Sequence, residues 1–203
     1  MRSIAFLAAL FCSAVLAQDA GRAIFLVADP GMADPNFART VILVARHEGV
    51  SGPFGVIINR QTEIPLGRAF AGLKGLEGNQ DKLFAGGPIA RSVYFYVYRS
   101  ETKPTDAVQV VEGVYLGWDV DELRKLLARD KPTENLRVYA GHAGWAPGQL
   151  ENEVASGAWK SARVDAASIF SLRPDTVWPE MIRRASATPV RWSPPGLDPA
   201  RPG

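Results

Sequence analysis

Apolar residues come in short runs separated by glycine- and proline-marked breaks. Residues 24–28, 40–45 and 54–59 are nearly continuous apolar stretches, the form of strands covered on both faces. Asp29-Pro30-Gly31 and Asp34-Pro35 make residues 29–36 a turn-rich loop. Residues 48–53 form too short a link for a parallel crossover, so the second and third runs are predicted to pair antiparallel. Residues 66–73 are weakly helical and 74–81 form a polar loop, after which 83–85 stops hard at Gly86-Gly87-Pro88. Residues 92–98 carry six consecutive β-branched or aromatic side chains from Val93 to Tyr98. Residues 108–111 and 114–116 read as a hairpin about Glu112-Gly113. Asp119 or Asp121 caps a following helix whose Leu123, Leu126 and Leu127 share one face through Arg129 before Pro132 ends it. Residues 165–170 and 174–185 are two further helix candidates. Strand runs with hairpin-length links, broken by a few helices, predict an α+β fold and not a regular βαβ alternation.

The least generic stretch is 139–153. A strand over 136–140 meets Gly141 and Gly144, whose lack of a Cβ permits a sharp turn or close backbone approach. Pro147 suits a first helical turn, and Glu151 and Glu153 favour the positive end of a helix dipole. The expectation is strand, glycine turn, helix. Such a turn can cradle an anion, but glutamates follow it and no phosphate-loop or dinucleotide motif is present.

The ends of the chain differ from its middle. Residues 1–17 combine Arg2 with an apolar run and a Val15-Leu16-Ala17 exit, the pattern of a secretory signal peptide and too short for a comfortable membrane span. Cys12, the single cysteine, lies within that leader. The mature chain is therefore expected in the periplasm or secreted, thiol-free, with no membrane span after cleavage. Residues 18–186 are read as one domain, and 187–203, rich in proline, as a disordered tail. A net charge of +2 is too small for a nucleic-acid footprint, and no basic run flanks the aromatic stripe, so no nucleic-acid partner is expected.

Several of these segments together resemble one family. They are Pro30-Gly31-Met32 with Asp34-Pro35 and Phe37; Arg39-Thr40-Val41; Gly55-Val56-Ile57-Ile58-Asn59-Arg60; Gly86-Gly87-Pro88; and Ala143-Gly144-Trp145 followed by Gly148-Gln149-Leu150-Glu151, Glu153 and Ala158-Trp159. In this order they resemble the bacterial YqgE/AlgH family over about residues 24–185. The resemblance implies a bifurcated, mostly antiparallel sheet curled into a pseudo-barrel with flanking helices. It implies no established activity; one member is linked to regulation of alginate synthesis. Typical members are cytosolic and lack a leader, and Gln61 replaces their usual proline after Asn-Arg.

Chemistry is sparse. A G-x-S-x-G elbow and the common zinc motifs are missing, and no cofactor or metal site is read. The two histidines, His47 and His142, could join Glu151 or Glu153 as acid, base or ligand if the fold gathers them; with Glu151 they would make a hydrolase or metal-assisted enzyme. A transcriptional regulator is a further alternative, resting on the resemblance alone. The residues favour a non-enzymatic binding or interaction protein of the envelope, with an unidentified protein or small-molecule partner. Its candidate cleft comprises Asp29, Asp34, Asn59, Arg60, Gly86, Gly87, His142, Gly144, Trp145, Gln149 and Glu151. Each has a structural alternative: the aspartates bonding their own turns, Arg60 pairing with one of them, a strand-end histidine bonding backbone.

Overall fold

The apolar runs become strands of one branching sheet. The computed structural model describes residues 23–45 and 52–188. Its strands are β1 (Ala23–Ala28), β2 (Val41–Ala45), β3 (Phe54–Ile57), β4 (Gln61–Pro65), β5 (Lys82–Ala85), β6 (Ile89–Arg99), β7 (Ala107–Val111), β8 (Val114–Gly117), β9 (Leu136–Gly144) and β10 (Trp159–Ala162). The helices are α1 (Leu66–Ala69), α2 (Val120–Leu127), α3 (Gln149–Ala155), α4 (Ala166–Ile169) and α5 (Pro174–Ala187). Strands follow the order β10-β1-β2-β3-β9-β6-β8-β7, while β4 and β5 branch off through β9. Every pairing is antiparallel except that of β5 with β9. The fold is α+β, a mostly antiparallel curled sheet with flanking helices, as the resemblance implied.

Both faces of this sheet are covered, which is why its central strands read as unbroken apolar runs. The inner face gathers Phe25, Val27, Leu43, Val56, Phe95, Val97, Leu116 and Tyr139, with Val177 and Met181 of α5 filling the curl. Outside, α2 lays Leu123, Leu126 and Leu127 over Tyr96, Tyr98, Leu136 and Val138. A second outer patch joins Leu150 of α3 to Ile24, Leu26, Ile42, Ala143, Trp145 and Trp159. The aromatic stripe of β6 thus divides by alternation, Phe95 inward and Tyr96 outward.

The branch point is a backbone crossing. β3 pairs with β9 only at Phe54–Gly144 and Gly55–Ala143. Beyond that, the Ile57 N–H donates to the Gly86 carbonyl at 2.8 Å, and the Gly86 N–H donates to Ala140 O at 2.8 Å. The end of β5 therefore wedges between β3 and β9. No side chain fits there: a Cβ on Gly86 would lie 2.3 Å from Gly141 O, and one on Gly87 would lie 2.1 Å from the His142 carbonyl carbon. Gly141, at φ +74°, completes the crossing from the other strand.

Several details depart from the sequence reading. β9 continues through Gly141 to Gly144, so those glycines lie within a strand and the turn comes after them. Pro147 precedes α3 and does not open it; the cap is Gly148, at φ 78°. β4 and β10 are strands the pattern did not suggest, and residues 66–73 hold only the single turn α1. Asp119, not Asp121, caps α2, accepting from the Glu122 N–H at 2.7 Å. The leader, the tail and His47 lie outside the described residues.

Candidate functional site

The expected cleft residues occupy separate positions along the sheet, and most are engaged by the fold itself. At the end where β1 hands over to β2, the Asp29 carboxylate accepts from the Gly31 N–H at 2.9 Å and lies 3.6 Å from the Lys160 ammonium. Asp34 accepts from the Asn36 N–H at 2.8 Å. Both aspartates thus stabilise their own turn, as short acidic side chains do. Asn59 bridges the same loop, its Oδ1 accepting from Val41 N–H at 2.8 Å and its Nδ2 donating to Arg39 O at 3.0 Å. Arg60 pairs with neither aspartate. Its guanidinium donates to the carbonyls of Asn36 at 2.8 Å, Pro35 at 3.4 Å and Ala38 at 3.5 Å. A planar fork of donors suits the orphan carbonyls of a tight turn, so the cation closes the loop.

The second grouping belongs to α3. Trp145 follows β9, α3 runs back across the outer face, and Trp159 begins β10. Glu153 sits between the two indoles. Its Oε2 accepts from Trp145 Nε1 at 2.9 Å and Trp159 Nε1 at 2.8 Å, while its Oε1 accepts from Gln149 Nε2 at 2.8 Å. Gln149 Oε1 in turn accepts from the Ala146 N–H at 3.1 Å. Phe37 meets the Trp159 ring edge-on at 5.7 Å, tying this lock to the loop that Arg60 holds. The sequence reading placed Trp145 and Gln149 in the cleft and left out Glu153 and Trp159. The legible signal was the i,i+4 spacing of Gln149 and Glu153, which puts them on one helical face. An open depression of about 580 Å³ lies over this face, lined by Pro147, Gly148, Gln149, Asn152, Glu153 and Ser156.

His142 belongs elsewhere. Its ring packs 5.2 Å from that of Phe95, a residue of the inner core. Its neighbour Ala143 packs with Leu150 of α3 on the outer side. Alternation along β9 thus sets His142 and α3, which carries Glu151, on opposite faces of the strand. Burial pushes the imidazole pKa below its ordinary value, and Nδ1 has no hydrogen-bond partner among the described residues. Gly144 lies beside the His142 ring, its Cβ position 3.8 Å from Nε2. Gly86 and Gly87 are consumed by the strand crossing. Among the described residues no group of three or more His, Cys, Asp or Glu side chains is assembled to hold a metal ion.

The sequence profile of the AlgH-like family (DUF179) matches residues 25–189. The chain belongs to the AlgH-like family. A UPF0301 protein of Streptomyces avermitilis is 36% identical over 169 residues, covering 78% of this chain and 83% of the relative. Another, from Methylococcus capsulatus, is 35% identical over 164 residues, 79% of this chain and 89% of its own length. The solution structure of the AlgH protein from Pseudomonas aeruginosa matches with a TM-score of 0.66 at 28% identity, spanning 89% of this chain and 94% of that one. A Corynebacterium diphtheriae protein shares the fold, with a TM-score of 0.63 over 79% of this chain and 85% of its own, at 24% identity. The segments of this chain that carried the resemblance fall on the strand crossing, the Arg60-held loop and the Glu153 lock. In this chain those residues build the scaffold.

Proposed function

We propose that this AlgH-like protein is exported and serves in the cell envelope as a binding or interaction protein that catalyses no reaction. The observation that carries the non-catalytic part is the engagement of the candidate polar groups. Asp29, Asp34, Asn59, Arg60, Gln149 and Glu153 all make hydrogen bonds that hold loops or α3 in place. A catalytic constellation needs nucleophile, base and orienter within mutual reach, and His142 and α3 stand on opposite faces of β9. The envelope location rests on the leader-like pattern of residues 1–17. The partner is a protein or small molecule of that compartment, not nucleic acid, in keeping with the small net charge of +2.

Two measurements test this reading. Mass spectrometry of the native protein is expected to find an amino terminus just after Ala17; a product beginning at Met1 overturns the location. Thermal denaturation against metabolites and fractionated envelope extracts is expected to reveal at least one stabilising ligand. A ligand at a hundredfold excess over its Kd adds about 2.7 kcal/mol, a readable shift in Tm. A ligand that is chemically converted would overturn the non-catalytic reading, and stabilisation by none would overturn the binding role.

A further inference from the structure

The sheet path ends at β7, which has β8 on one side and no strand on the other among the described residues. Such an edge presents unpaired N–H and C=O groups, and proteins usually blunt it with charge, proline or a covering element. The other free ends are blunted in this way. β4 contains Glu63 and Pro65, while β10 carries Lys160 and packs against α3 and α5. β7 carries no charge and no proline along its length, and bulges between Gln109 and Val111. Its sequence is Ala107-Val108-Gln109-Val110-Val111, uncharged and rich in β-branched residues. Val108 and Val110 face the inner core, Val111 packs partly against it, Ala107 packs partly against the α2 cluster, and Gln109 is partly buried.

Acid frames this edge at both ends. Asp106 and Glu112 are exposed, and neither makes an ion pair among the described residues. Their placement argues against a second copy of the chain as occupant. The antiparallel register that keeps all five residues opposed sets Asp106 of each copy against Glu112 of the other. A parallel register sets Asp106 against Asp106. Like charges directly across a strand pair are destabilising.

We propose that β7 is a docking edge for an extended segment of a partner protein, whose short apolar stretch carries lysine or arginine at both ends. The strand would join the sheet through main-chain hydrogen bonds, and its cations would lie opposite Asp106 and Glu112 and so fix partner choice and register. This deepens the interaction role proposed above and rests on it.

The test uses the full purified chain and two synthetic peptides of alternating valine and threonine, one ending in lysines and the other in glutamates. The lysine peptide is expected to bind about tenfold more tightly, two cross-strand charge pairs setting the difference. It should also slow amide exchange at residues 107–111. The double variant Asp106→Lys with Glu112→Lys, altered only at exposed positions, should keep its Tm and reverse the preference. Equal binding of the two peptides, no binding, or protection away from β7 overturns the proposal. An envelope ligand that stabilises the wild type and the double variant alike would reject this edge while leaving the broader interaction role standing. If no envelope ligand stabilises either form, the broader role fails.

Discussion

At the level of single side chains, Glu153 is the residue whose loss reaches furthest. Its carboxylate takes the N–H groups of Trp145, Trp159 and Gln149 together, and both indoles sit in the outer core patch. Glu153→Ala strands two indole donors in a mostly apolar setting, an expected loss of about 2–4 kcal/mol in urea denaturation, with altered tryptophan emission. Glu153→Gln keeps one acceptor oxygen and should lose less. Tyr139 runs the other way: it is fully buried, and its hydroxyl has no partner among the described residues. Burial accordingly drives its pKa well above 10.0. Tyr139→Phe removes that hydroxyl without leaving a hole, so stability should hold or rise by up to about 1 kcal/mol in the same assay. His142 supplies a pH signature. Burial lowers its folded pKa below the ordinary 6.5, so the unfolded chain binds the proton more readily. The stability this contributes is present above about pH 6.5 and is lost as pH falls toward the folded value. His142→Gln should therefore flatten the fall in stability between neutral and mildly acidic pH, measured against the wild type.

Among the elements, the crossing of β5 over β9 is the least forgiving. Gly86→Ala sets a methyl group against the backbone of Gly141, where nothing can swing aside, at an expected cost of about 3 kcal/mol or more. Gly148→Ala keeps open space around the new Cβ and bears only left-handed strain, about 1 kcal/mol. Comparing the two midpoints in denaturant separates collision from strain. These elements also show what the chain disclosed in advance. β1, β2 and β3 were legible because burial on both faces writes an unbroken apolar run. β4 was not, since Gln61, Glu63 and Pro65 give no strand pattern of their own and the strand forms against β5. The turn bonds of Asp29 and Asp34 were readable from local chemistry. Arg60 on three carbonyls and Glu153 between two tryptophans were not, because both depend on segments that meet only after the sheet has formed. Gly86, Gly87 and Gly141 stood out as glycines, yet their purpose lies in a contact between distant strands that no local pattern records.

For the molecule as a whole, connectivity matters more than any one contact. β10, late in the chain, pairs with β1 at the start, and β9 joins β3 to β5 and β6. Most such pairings link residues far apart in sequence, so folding should be slow for the chain's size. Stopped-flow refolding is expected on the millisecond-to-second scale characteristic of β-rich topologies.

The same arrangement means that the polypeptide has no seam. If it is severed in the loop between α1 and β5, the leading fragment holds β1 without β10 and β3 without β9. The trailing fragment keeps β5 and β9 but loses the strands that cover one flank of each. Each half alone should remain unstructured by circular dichroism, whereas mixing the two should restore the native spectrum, making the protein a natural candidate for a split complementation reporter.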